Sequence, residues 1–95
     1  MHSYRIFWED QDRNREVEIF VDYKLHAGMV QIEAVRPTRV TLYDCQTQQA
    51  TRTLGVYTAG GRKHLTNLYQ ASRFGLPQIE EEIFAHHARD EAVRA

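Results

Sequence analysis

Apolar and polar residues alternate through the first half of this chain and then switch to a helical spacing. Val17, Ile19, Val21, Tyr23 and Leu25 fall at every second position, with Glu16, Glu18, Asp22 and Lys24 between them. That period predicts a strand with one face buried and the other wet. Phe20 interrupts the polar set and marks a second contact on that side. Before this strand, Tyr4-Arg5-Ile6-Phe7-Trp8 reads as a short aromatic strand, and the polar run from Glu9 to Asn14 as a turn. After it, His26-Ala27-Gly28 predicts a hairpin turn in which Gly28 supplies a positive φ.

Val30, Ile32 and Ala34 alternate with Gln31 and Glu33 in a third strand, and Pro37 is expected to stop regular pairing. Val40, Leu42 and Cys45 resume the alternation opposite Arg39, Thr41 and Tyr43. Gln46 to Gln49 reads as a loop. Residues 51–57 give a fifth strand through Leu54 and Val56, weakened by Gly55, with a helical start near Thr51 as the competing reading.

From Gly60 the period is that of a helix. Leu65, Leu68, Tyr69 and Ser72 form one stripe, behind Thr58 as N-cap and ahead of Gly75 as terminator. A second helix opens at Leu76-Pro77, with Glu80, Glu81 and Glu82 in its first turn and Ile79, Ile83, Phe84 and His87 on its inner face. The expected architecture is therefore α+β, an antiparallel sheet of four or five strands followed by two C-terminal helices packed on one face. One domain spans residues 1–95, with strands over about 3–57, helices over about 59–74 and 77–90, and a frayed tail at 91–95.

Composition adds limits. The chain's 95 residues, 42% hydrophobic and 26% charged, suit one modest globular core. No apolar run approaches the ~20 residues of a membrane helix. Acids at Glu9 and Asp10 interrupt the N-terminal segment before a signal-type apolar region forms, and Cys45 is the lone cysteine. A cytoplasmic location without disulfides is the expectation.

The net charge of −1 hides a segregation. Residues 36–75 hold Arg36, Arg39, Arg52, Arg62, Lys63 and Arg73 against Asp44 alone, while the segments on either side are acidic. Either the basic segment packs between the acidic ones, or it meets an anionic partner. One anomaly bears on the choice. The first turn of the first helix carries Arg62, Lys63 and His64 and no acid, although the helix dipole favours acids there. Beside them, the bare amides of Gly60 and Gly61 suit an anion. Farther along, Arg62, Thr66, Tyr69 and Arg73 fall within a band roughly 60° wide, with Gln70 at its margin. These residue types contact phosphates and base edges.

Catalytic and metal chemistry find less support. Glu82, His86 and Asp90 are ligand types in line on one helix, but one helix face alone rarely closes a metal site. Cys45 has no cation beside it in sequence to favour its thiolate. No Gly-x-Ser-x-Gly or P-loop spacing occurs, and no cofactor is implied. A helix-turn-helix reading of the two helices fails because the second would present Glu80 to Glu82 to the groove. The sequence thus points to a small non-catalytic binding domain for an anionic partner, nucleic acid first. Its expected contacts are Gly60, Gly61, Arg62, Lys63, His64, Thr66, Arg73 and Arg52. The alternative is a homo-oligomeric protein-interaction module. Phe7, Trp8, Phe20, Tyr43, Tyr57 and Phe74 are more aromatics than one small core hides, and Glu80–Glu82 would then match the basic segment internally.

Overall fold

The computed structural model describes residues 2–76 and 78–94, with side chains through Arg89. Four antiparallel strands form one sheet in sequential order: β1 (His2–Asp10), β2 (Arg15–His26), β3 (Met29–Tyr43) and β4 (Ala50–Gly55). Two helices follow, α1 (Ala59–Ser72) and α2 (Ile79–Arg94), so the class is α+β with the helices C-terminal. The alternation read in β2 is realised, with Val17, Ile19, Val21 and Tyr23 buried under the helices. Leu65 and Tyr69 of α1 and Ile79 and Ile83 of α2 complete the core with Val40. Phe84, expected on the inner face of α2, is half exposed instead, one position off the Ile79–Ile83 stripe.

The two strands expected on either side of Pro37 are a single strand, β3. Its partners on β2 skip Glu33 and Thr38, so each of these is the extra residue of a bulge. Each bulge advances the alternation by one. The residues facing the helices are therefore Val30, Ile32, Val35, Pro37, Val40 and Leu42, and Ala34 turns outward opposite Asp22. Pro37 is fully buried, yet it breaks nothing. Proline is tolerated at bulges and strand edges, and pairing with β4 stops at Arg39, two residues short of it. The Thr38 hydroxyl donates to the Glu18 backbone carbonyl (3.3 Å) and carboxylate (3.0 Å), and the Thr38 carbonyl accepts from the Val56 amide at 3.0 Å.

Residues 51–55 are strand, as part of the edge strand β4, and the chain leaves the sheet at Val56 and Tyr57. The first turn is tighter than the polar run suggests. A single 3-10 turn, Gln11–Arg13, precedes Asn14 in the left-handed region (φ 50°), whose side chain donates to the Tyr43 carbonyl at 2.7 Å. Asp10 faces inward and is buried, held by Arg15 at 2.9 Å and Arg13 at 3.3 Å. At the β2–β3 hairpin both Ala27 (φ 52°) and Gly28 (φ 78°) are left-handed, as a two-residue turn of this twist requires. α1 ends at Ser72 with Arg73 as its C-cap, two residues before the expected Gly75, which is left-handed (φ 82°) in the turn that follows; the proposed role of Pro77 lies outside the described residues. α2 continues to Arg94, past the boundary expected near residue 90.

A polar network fastens the helices to the sheet. Glu82 accepts the Tyr4 hydroxyl at 3.2 Å and pairs with Arg73 at 3.1 Å, and Arg73 donates to the Tyr69 hydroxyl at 3.0 Å. The Trp8 ring meets Tyr69 edge-on at 5.6 Å. Burial raises the Tyr69 hydroxyl above its usual pKa, against the lowering effect of Arg73.

Two outcomes test this packing. Ile83→Ala empties a fully buried position and should cost roughly 2–5 kcal/mol in denaturant unfolding. Glu33→Ala removes one exposed pairing with Lys24 and should cost no more than about 1 kcal/mol. Deleting Glu33 should cost little more, because Ile32, Ala34 and Val35 then pair with Tyr23, Asp22 and Val21 without a bulge and every side chain keeps its face. A deletion that costs about 3 kcal/mol or more, the cost of turning at least two apolar side chains outward, would contradict the bulged register.

Candidate nucleic-acid interface

Arg62, Lys63 and His64 lie in the first turns of α1, shortly after β4 ends at Gly55. The Thr58 hydroxyl accepts the Gly61 amide at 3.0 Å, and the helical ladder opens with the Arg62 amide on the Thr58 carbonyl. The amides of Ala59 and Gly60 come before that ladder, and so point out of the helix end. A side chain at Gly61 would press on the Thr58 hydroxyl at 2.9 Å, whereas Gly60 faces open space. The two glycines thus differ: Gly61 lets the cap close, and Gly60 leaves the helix end uncovered.

Lys63 and His64 are exposed and Arg62 is half-buried. Thr66 turns its hydroxyl back onto the Arg62 carbonyl at 2.8 Å. The band read along α1 stops there, because Tyr69 lies in the core and Arg73 is engaged by Tyr69 and Glu82. Arg52 stands opposite Leu42 on the helix-bearing side of β4, and Arg39 stands opposite Gly55 on the other side. Arg39 and Arg52 thus stand on opposite faces of the sheet beside and on β4, Arg62 and Lys63 follow near the start of α1, and none has an ion pair among the described residues. The chain contains no Asp or Glu from Cys45 to Ile79. Asp44, just before that stretch, accepts the amides of Gln46 (2.8 Å) and Thr47 (2.9 Å), which hold its carboxyl below the usual range.

The acidic residues collect at the opposite edge. Glu9, Asp10 and Asp12 line the groove between the 3-10 corner and α1, beside Tyr69 and Arg73. Of the basic central segment, Arg36 is paired with Asp22 and Arg73 with Glu82. Among the described residues, no set of three His, Cys, Asp or Glu is placed to hold a metal ion. Glu82 is already committed to Arg73 and Tyr4, His86 rests on the Tyr4 ring at 4.9 Å, and the side chain of Asp90 lies outside the described residues. Cys45 is exposed in the turn before β4.

One element escaped the sequence reading. The Tyr57 ring lies over Gly55, its phenol end where a Cβ of residue 55 would be, and is 86% exposed. A glycine two residues before an aromatic at a strand end is the signal that goes with it. Compared with known proteins, the chain matches no family model, no curated protein and no solved structure.

On the sheet face away from the helices, Arg36 grips Asp22 through two bonds (2.6 and 2.9 Å), and Ser3 donates to the same carboxylate at 2.7 Å. These bonds hold Asp22 below the usual aspartate pKa. A depressed folded-state value means stability that is present above about pH 4 and is lost as pH falls through the folded pKa. Asp22→Asn should flatten the fall in stability between about pH 4 and pH 2 seen in urea unfolding. Parallel curves for the two proteins would show that the pair contributes nothing to folding.

Proposed function

We propose that this chain is a small non-catalytic domain that binds nucleic acid through the β4–α1 edge. Arg39, Arg52, Arg62 and Lys63 contact phosphates there, and the open amides of Ala59 and Gly60 sit beside them. His64 borders the same surface. The observation that carries the reading is the charge balance: two of the six basic residues between 36 and 75 are in internal ion pairs, and the other four are in none among the described residues, although Arg39 stands opposite Glu18. Internal complementarity accounts for Arg36 and Arg73 and leaves the rest unexplained. Cations crowded on a positive helix end are a local cost, and such costs gather at binding sites.

Phe74, which is 96% exposed, and Leu76 at the α1–α2 turn favour a second reading, a protein-interaction module. The two separate by salt. Four phosphate contacts give a log–log salt slope of roughly −3 to −4 on duplex DNA, whereas an apolar interface is nearly indifferent to salt.

Arg62→Glu tests the proposal. An acid suits the positive helix end, so the variant should gain about 0.3–1 kcal/mol in thermal unfolding. It should also bind oligonucleotides more weakly, with a salt slope shallower by about one unit. A destabilised variant, together with no affinity of the parent protein for any oligonucleotide at about 50 mM salt, would sink the proposal.

A further inference from the structure

Both helices lie on one side of the sheet, and its other face carries aromatic rings that no helix covers. Phe7 on β1 is half exposed, and it sits diagonally from Phe20 on β2, since Phe7 pairs with Glu18 and Arg5 with Phe20. The same two rows continue across the sheet. Arg36 stands beside Phe20, and Arg39 beside Glu18, and beyond Arg39 lies Gly55 with the Tyr57 ring on top of it. The Arg5 guanidinium lies over the Phe7 ring at 5.0 Å, and that of Arg36 over Phe20 at 5.8 Å. Three rings thus alternate with three arginines across four strands.

From this arrangement we infer that the open sheet face is a stacking platform for single-stranded nucleic acid. The inference rests on the function proposed above and names the form of its ligand. Exposed rings set among cations are what an unpaired strand requires: each base has a π-face to lay on a ring, and its phosphate needs a cation nearby. Guanidinium planes are themselves stacking surfaces. Within these two rows three arginines meet one acid, Glu18, which accepts from Thr38. Asp22, one row away, is held by Arg36 and Ser3, and Glu9 and Glu16 face each other one row beyond on the other side; Arg5 and Arg39 have no ion pair among the described residues. The platform is also continuous with the β4–α1 edge, because Tyr57 is followed at once by the Thr58 cap. A strand held by Arg62 and Lys63 reaches the sheet across Tyr57. Duplex DNA, with its bases already stacked on one another, has no use for these rings.

Anisotropy of a labelled, mixed-sequence oligonucleotide of about 16 nucleotides, single-stranded or annealed, tests the inference on the full chain. The single strand should bind at least about tenfold more tightly than the duplex. Phe7→Ala and Tyr57→Ala should each lower single-strand affinity about tenfold, without changing duplex affinity or the salt slope. Gly55→Ala keeps the tyrosine but displaces its ring, and should follow Tyr57→Ala. Both rings are exposed, so unchanged thermal unfolding confirms that the variants are folded. Equal affinity for both forms, or alanine variants that bind as the parent does while Arg62→Glu weakens binding, overturns the platform and leaves the β4–α1 proposal standing. No binding of either form overturns both. A dimer in sedimentation that Phe7→Ala dissociates gives this face to a second copy of the chain, and the inference is wrong.

Discussion

Because side chains along a strand alternate, every extra residue moves all those after it to the opposite face. β3 is fifteen residues long and must keep an apolar row against the helices for its whole length. Bulges at Glu33 and Thr38 make this possible, each absorbing an extra residue that would otherwise turn the next apolar side chain outward. The resulting spacing of Val30, Ile32, Val35, Pro37, Val40 and Leu42 is a period of two with two interruptions. Those interruptions also decide what the other face shows. Arg36 points away from the helices only because the Glu33 bulge precedes it, and Arg39 points the same way because the two bulges together restore the original count. The same register therefore builds the core and sets the arginines among the rings of the open face.

The charge distribution follows from the chain path. β1, the 3-10 corner and the start of α2 bring acids to one edge, and β4 with the first turn of α1 brings cations to the other. The Arg73–Glu82 pair joins the end of α1 to α2, and it is tied into the Tyr4–Glu82–Arg73–Tyr69 network that holds both helices on the sheet. Arg73 is thereby a structural residue at the far end of α1. The cations at the near end have no such duty, and the anion-binding role is assigned to them.

Much of this was legible in the residues. The alternation of β2, the glycine in the β2–β3 turn, the Thr58 cap and the Leu65–Tyr69 stripe each act over a few neighbours, and local patterns report them directly. Pro37 misled because a proline signals a break only where its missing amide is needed, and a bulge at the limit of β4 pairing removes that need. Phe84 misled because it lies one position from the true stripe of α2. In the candidate site, Arg62, Lys63 and His64 were visible as a violation of dipole preference. Arg73 looked equivalent to them until Glu82, nine residues away, was seen beside it. The outward face of Arg39 was legible from its alternation with Val40 and Leu42, but its place opposite Gly55 was not, since that is set by the pairing with β4. Nor was the seat of Tyr57 on Gly55, a contact across the end of a strand.

The central claim is that one continuous surface, from the first turn of α1 across Tyr57 to the open sheet face, meets a nucleic-acid strand. Amide NMR of the isotope-labelled protein, titrated with a single-stranded oligonucleotide, addresses it residue by residue. The account predicts shifts concentrated at Arg62 to His64, Tyr57, Gly55, Arg39 and Phe7, with Ile83 and the rest of α2 unmoved. Shifts confined to α2 and the Phe74–Leu76 turn, or a spectrum unchanged at saturating oligonucleotide, would contradict it.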